Sequence, residues 1–139
     1  MYKRILVAVD GSKNSIRAAE HTAYIASLNS EATVEVLYVL DYERIRTDVI
    51  HNIGDDTLHI DQETKLAPIK GVFEKKRIAY ELVIKKGDPG STIVSFANRG
   101  GFNLVIIGSR GLNSFQEMVL GSVSNKVAKR ANMPVLIVK

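Results

Sequence analysis

Residues Ile5-Leu6-Val7-Ala8-Val9-Asp10-Gly11-Ser12 decide the fold class. Five consecutive apolar residues end in an acid and a glycine, and a serine then heads a helical pattern. An apolar run without alternation is covered on both faces, as strands inside a parallel sheet are. Ser12 can cap the helix that follows, running to about Leu28, with Ile16, Ala19, Ala23 and Ala26 toward the sheet.

The same grammar recurs along the chain. Val34–Val39, Leu104–Ile107 and Val135–Val138 are further Val/Ile-rich runs, and Tyr80–Ile84 is a partly polar one. Asp88-Pro89 starts a helix, with Asp as N-cap and Pro in the first helical position, presenting Ile93, Val94 and Ala97 inward. A last helix follows Gly121-Ser122, with Val123, Val127 and Ala131 on one face and Asn125, Lys126 and Lys129 on the other; Pro134 separates it from the final strand. Asp41 to about Thr57 has no clear period and is expected to be a mobile loop with short helical turns. Leu58 to Arg77 is helical, but Pro68 and Gly71 interrupt it, which predicts a kink or two pieces. The order β-α-β-α-β-α-β-α-β specifies a single α/β domain over residues 1–139. Its core is a five-stranded parallel sheet with helices on both faces, Rossmann-like in architecture.

Composition excludes several functions. The chain has 139 residues, 45% hydrophobic and 24% charged, the balance of a soluble globular domain. It has no cysteine, which rules out disulfides and thiolate metal sites. The opening apolar run is too short for a signal peptide or a membrane span, so a cytoplasmic protein without a membrane role is expected. The net charge of +4 favours anionic ligands. Its basic residues are scattered (Lys75, Lys76, Arg77; Lys85, Lys86; Lys126, Lys129, Arg130), with no aromatic-interleaved stripe and no tryptophan, and nucleic acid is not expected. His21, His51 and His59 share no helix face with carboxylates, so no metal ligands are assigned. No Ser-His-Asp set can be assembled, and no catalytic residue is assigned.

In such sheets, ligands bind beyond the carboxyl ends of the strands, where the strand order reverses. The residues at those ends are Asp10-Gly11-Ser12, Val39-Leu40-Asp41 and Gly108-Ser109-Arg110-Gly111. Gly108, Gly111 and Gly121 lack a Cβ, which lets the backbone take positive φ and approach a phosphate. Gly121-Ser122-Val123-Ser124 opens a helix whose first turn offers unpaired N–H groups and partial positive charge. Ser109, Ser122 and Ser124 add hydroxyls, for phosphate or for a bound cation such as Mg²⁺; Arg110 adds charge or points to solvent. Asp10 suits ribose hydroxyls or a water on Mg²⁺, and Val39 suits an adenine ring. Taken singly, each has a plainer reading: Asp10 as organiser of the Gly11 turn, Gly108 and Gly111 as turn glycines, Ser122 as a helix cap. There is no Gly-x₄-Gly-Lys-Ser/Thr loop, no Gly-x-Gly-x₂-Gly after the first strand and no Ser-Gly-Gly loop after Val9.

The spacing Gly-x₂-Gly-x₉-Gly-Ser, filled by Gly108, Gly111, Gly121 and Ser122, resembles the ATP-binding signature of the universal stress protein family. Ile5–Ser12, Gly87-Asp88-Pro89 and Pro134–Val138 match the same pattern, so the resemblance spans essentially the whole chain. It implies an adenine nucleotide alpha-hydrolase-like fold, a role in stress survival and a homodimer through the C-terminal strand Pro134–Val138. It also implies that Asp10 and Val39 contact ribose and adenine, while Gly108, Gly111, Gly121 and Ser122 hold the phosphates. Pro68 and Gly71 depart from the family's usual continuous helix. The apolar stretch Met133–Lys139 at an expected sheet edge independently invites pairing with a second chain. Three functions follow: a regulatory module that binds ATP, with Mg²⁺; a slow ATPase or phosphotransferase; or an interaction protein with a vestigial pocket. No residue is identified that would orient a water at the γ-phosphate, which favours the first.

Overall fold

Glycine at position 11 is what lets the first strand turn into the first helix. Its φ is +86°, a left-handed conformation that residues with a Cβ resist. Ser12 then caps the helix, accepting from the Ser15 N–H at 3.2 Å, and the helix runs over Lys13–Ser27. The structure, a computed structural model, describes residues 1–41, 55–110 and 120–139. Its elements are β1 (Arg4–Val9), α1 (Lys13–Ser27), β2 (Thr33–Asp41), α2 (Asp55–Lys75), β3 (Glu81–Gly87), α3 (Pro89–Arg99), β4 (Leu104–Gly108), α4 (Ser122–Arg130) and β5 (Val135–Val138).

The five strands form one sheet in the order β3-β2-β1-β4-β5, and every pairing is parallel. Ile5 lies level with Val34 on one side and Leu104 on the other. Alternate residues of β1 feed two cores. Ile5, Val7 and Val9 face Ala18, Ala19, Ala23 and Ala26 of α1 and Leu66, Ile69 and Phe73 of α2. Leu6 and Ala8 face Ile93 and Ala97 of α3 and Val127 of α4. Both faces are therefore covered, which is why the strands read as continuous apolar runs. The alanines of α1 bring that helix close to the sheet; Ile16 and Val94, expected inside, are only half-buried.

Two expectations are corrected. Asp55–Thr57 belong to a helix and not to the loop; the rest of that expected loop, residues 42–54, lies outside the described residues. And α2 is one helix with Pro68 inside it, not two pieces. The burial pattern explains this: Leu66 and Ile69 flank the proline on the buried face, with Phe73 one turn further on, while Pro68 and Gly71 are exposed. Burying each such side chain stabilises by about 1.5–3 kcal/mol, enough to outweigh the roughly 3 kcal/mol that proline costs in a helix interior. Phe73 also stacks on Tyr80, ring centroids 5.1 Å apart, tying the end of α2 to the approach to β3.

The exposed proline should then be a net burden. Pro68→Ala is expected to raise stability by about 2 kcal/mol, the helix-propensity gain less the entropy that proline removes from the unfolded chain. Urea denaturation measures this directly, and an unchanged or lowered midpoint would refute it.

Candidate functional site

β2 and β3 lie successively to one side of β1, and β4 and β5 to the other. The winding therefore reverses between β1 and β4, whose register (Ala8 level with Ile107) runs on toward Asp10 and Ser109. α1 and α2 pack on one face and α3 and α4 on the other, so the connections leaving β1 and β4 diverge and open a crevice at these strand ends.

The β1 wall of the crevice is a self-contained turn. Asp10, half-buried, accepts the Ser12 N–H at 2.9 Å; Gly11 N–H donates to Ser15 Oγ at 3.1 Å, and Ser15 Oγ donates to the Ser12 carbonyl at 2.9 Å. Asp10 thus organises the Gly11 turn at the end of β1. Lys65 of α2 lies across the same turn. A Cβ built on Gly11 would meet Lys65 Cβ at 2.7 Å, and the ammonium, its side chain 14% exposed, pairs with Asp61 at 3.0 Å. Val39, at the end of β2, is half-buried among the α3-side core residues.

The β4 wall is built on Ser109. Its N–H donates to the Val138 carbonyl at 2.7 Å. Its carbonyl accepts from the Gly121 N–H at 2.8 Å and from Ser124 Oγ at 2.8 Å, and its Oγ accepts from Asn14 Nδ2 at 3.2 Å. Ser124, buried, also reaches the Gly121 carbonyl at 3.0 Å, so its hydroxyl serves the turn and not a ligand. Ser122 is exposed, while Arg110 and Val123 are half-buried; Gly111 lies outside the described residues.

The glycines act differently from the expectation. Gly121 has φ −62°, and Gly108 is not in the left-handed region either. Gly108 is required by packing: a Cβ there would lie 2.8 Å from Asn14 Cβ and 2.9 Å from the Asn14 carbonyl carbon. At Gly121 a Cβ would make only ordinary contacts, the nearest at 3.4 Å. Among the described residues nothing would have to shift to admit a Cβ there.

The N-termini of three helices differ in how they are closed. α1 is capped by Ser12. α3 is capped by Asp88, which accepts the Ser91 N–H at 3.0 Å, while Lys126 donates to Ser91 Oγ at 2.7 Å and pairs with Asp88 at 3.5 Å. The Ser91 N–H, aided by the Ser91 hydroxyl and Lys126, holds the Asp88 carboxyl below its usual range. α4 has no side-chain cap. Its first N–H groups and partial positive charge face the switch point, the chemistry that receives a phosphate. Among the described residues no three His, Cys, Asp or Glu side chains converge, and no helix is long and apolar enough to cross a membrane.

Sequence reasoning missed Asn14, Arg17 and Lys65. Asn14 shares the buried face of α1 with two other polar residues, Ser15 and Thr22, so nothing local singles it out. Nothing local marks Lys65, whose place depends on how α2 crosses Gly11.

A parallel sheet wound in both directions from a central strand, with an open helix N-terminus and a carboxylate turn at the reversal, defines a doubly wound α/β protein of the Rossmann-like kind. Within that class, the chain belongs to the universal stress protein family, whose family model matches residues 1–139. Universal stress protein YxiE of Bacillus subtilis is 31% identical, with both chains covered in full. The solved structure of MJ0577, a universal stress protein of Methanocaldococcus jannaschii, superposes with a TM-score of 0.86 at 32% identity, covering 100% of this chain and 96% of that one. A universal stress protein of Archaeoglobus fulgidus, solved in complex with dAMP, gives 0.73 at 25% identity, covering 99% and 98%.

Two outcomes follow from the geometry. Gly108→Ala is expected to cost about 1–3 kcal/mol of stability, since neither the strand nor the Asn14 backbone can give way easily; a change below about 0.5 kcal/mol in urea titration, the range of unconstrained surface sites, would contradict the packing role. For Asp88, whose folded pKa is lowered, the contribution is present above its unfolded value and lost as pH falls through the folded one. The stability gap between wild type and Asp88→Ala should therefore be full at neutral pH and narrow as pH falls below 3.8. Thermal melts across that range check it, and a pH-independent gap would count against the assignment.

Proposed function

We propose that this chain is a regulatory module that holds ATP, with Mg²⁺, at the switch point between β1 and β4. The observation that carries the reading is the N-terminus of α4, which has no side-chain cap and is held by Ser109 at the end of β4, beside the strand that leads into Asp10. The α4 N–H groups, with Ser122 and Arg110, would take the phosphates; Gly108, Ser109, Val123 and Ser124 would shape the turn that presents them, and Gly111 completes the glycine spacing. Asp10 would accept from the ribose hydroxyls, and Val39 would lie against the adenine. The complex of the Archaeoglobus fulgidus relative with dAMP supports an adenine nucleotide as the ligand class. Mg²⁺ would neutralise phosphate charge when bound.

Two further parts belong to the reading. β5 lies at a sheet edge, with Val135, Leu136 and Ile137 half-exposed, which supports a homodimer joined through this strand. Nucleotide occupancy would bias a partner surface in a stress response in the cytoplasm. The sequence names no residue that would orient a water at the γ-phosphate, so we read the chain as a holder of ATP and not a consumer of it.

Isothermal titration of wild type with Mg-ATP, ADP and AMP tests this, beside Gly121→Val. The valine should fit the protein yet obstruct the phosphates, weakening ATP binding by at least about tenfold, equivalent to roughly 1.4 kcal/mol. ATP should be recovered intact after hours with the protein. Unaltered affinity in the variant, or no binding by wild type, would overturn the assignment.

A further inference from the structure

Asn14 sits in the first turn of α1 on its sheet-facing side and is 7% exposed, an unusual burial for an amide. It touches both walls of the crevice. Its own helix begins at the Asp10-Gly11-Ser12 turn, and its Cβ and carbonyl carbon lie where a Cβ on Gly108 would otherwise be. Nδ2 donates to Ser109 Oγ at 3.2 Å, and Oδ1 accepts from the Arg17 guanidinium. Arginine has only donors to give, so it claims the amide oxygen and turns the NH₂ group toward Ser109. Arg17 is itself anchored, its Nε donating to the Lys139 carbonyl at 2.6 Å.

We propose that Asn14, oriented by Arg17, is the positioning residue that fixes the separation between the ribose wall and the phosphate wall of the site. The link continues beyond Ser109: the same residue's carbonyl holds Gly121 N–H and Ser124 Oγ, so Asn14 controls where the N-terminus of α4 begins. The absent Cβ of Gly108 belongs to the same device, because it lets α1 come close enough for the amide to reach. A ligand that spans both walls feels this separation. One that touches only the Asp10 and Val39 side does not. The inference rests on the nucleotide reading above and adds to it the residues that set its geometry.

The test compares ATP, which spans the crevice, with adenosine, which does not, on wild type, Asn14→Leu, Ser109→Ala and the double variant. Leucine has the same branched shape, with slightly bulkier methyl ends, and removes both hydrogen bonds. Asn14→Leu is expected to weaken ATP binding by roughly tenfold, the scale of a lost buried hydrogen bond, while leaving adenosine affinity unchanged. The double variant should bind ATP no more weakly than the poorer single one, since both changes break one link. In the ligand-free protein, amide exchange at Gly121 should accelerate in Asn14→Leu. Parallel loss of ATP and adenosine binding, unchanged ATP affinity, additive losses or unchanged Gly121 exchange would each overturn the proposal. Should Asn14→Leu not fold, Arg17→Met frees the amide without disturbing the Gly108 contact. It should reproduce the selective loss at smaller size, and its absence would be equally decisive. If wild type binds no ATP, the function proposed above fails; Gly121 exchange then still decides whether Asn14 fixes the turn.

Discussion

The pairing of β1 with β2 on one side and β4 on the other governs everything else in this molecule. Ile5, Leu6 and Val7 are fully buried because both flanks are taken by parallel neighbours and both faces by helices. Parallel strands need crossover connections, and those from the two halves pack on opposite faces. A crevice at the carboxyl ends of β1 and β4 is the geometric remainder of that winding. The site is thus a property of the topology before it is a property of any side chain.

What the side chains add is a distinction between closed and open polar groups. At α1 and α3 the helix termini are satisfied internally, by Ser12 and by Asp88 with Lys126. At α4 the sequence places glycine where a capping side chain could stand. Behind that opening the turn is rigidly supported, with every backbone polar group of Ser109 engaged. In the proposed function this support would preorganise the α4 donors for an anion.

How far this could be read from the chain depends on the range of each interaction. β1 and β4 were legible because their burial on two faces writes itself as apolar runs, and the caps Ser12 and Asp88 were legible because capping is local. β3 was less so: expected at Tyr80–Ile84, it extends through Lys85, Lys86 and Gly87, which pair with Val39, Leu40 and Asp41 by backbone alone and leave no apolar signal. Pro68 misled because a local rule met a tertiary force, the buried face of Leu66, Ile69 and Phe73. Gly108 was singled out for approach to a phosphate, and only the fold reveals that Asn14, ninety-four positions away (108 − 14) in the sequence, packs where its Cβ would be. Asn14 itself looked like an ordinary helical polar residue until its partner at Ser109 was in view.

The two edges of the sheet are unlike each other. β5 offers half-exposed valine, leucine and isoleucine, whereas β3 ends in the exposed pair Lys85 and Lys86. A chain that pairs through β5 about a two-fold axis uses its apolar edge completely and turns both lysine-bearing edges outward. Stacking another sheet there would mean stripping water from those ammonium groups, so assembly of this kind is self-limiting: it closes at two copies instead of growing into a fibre.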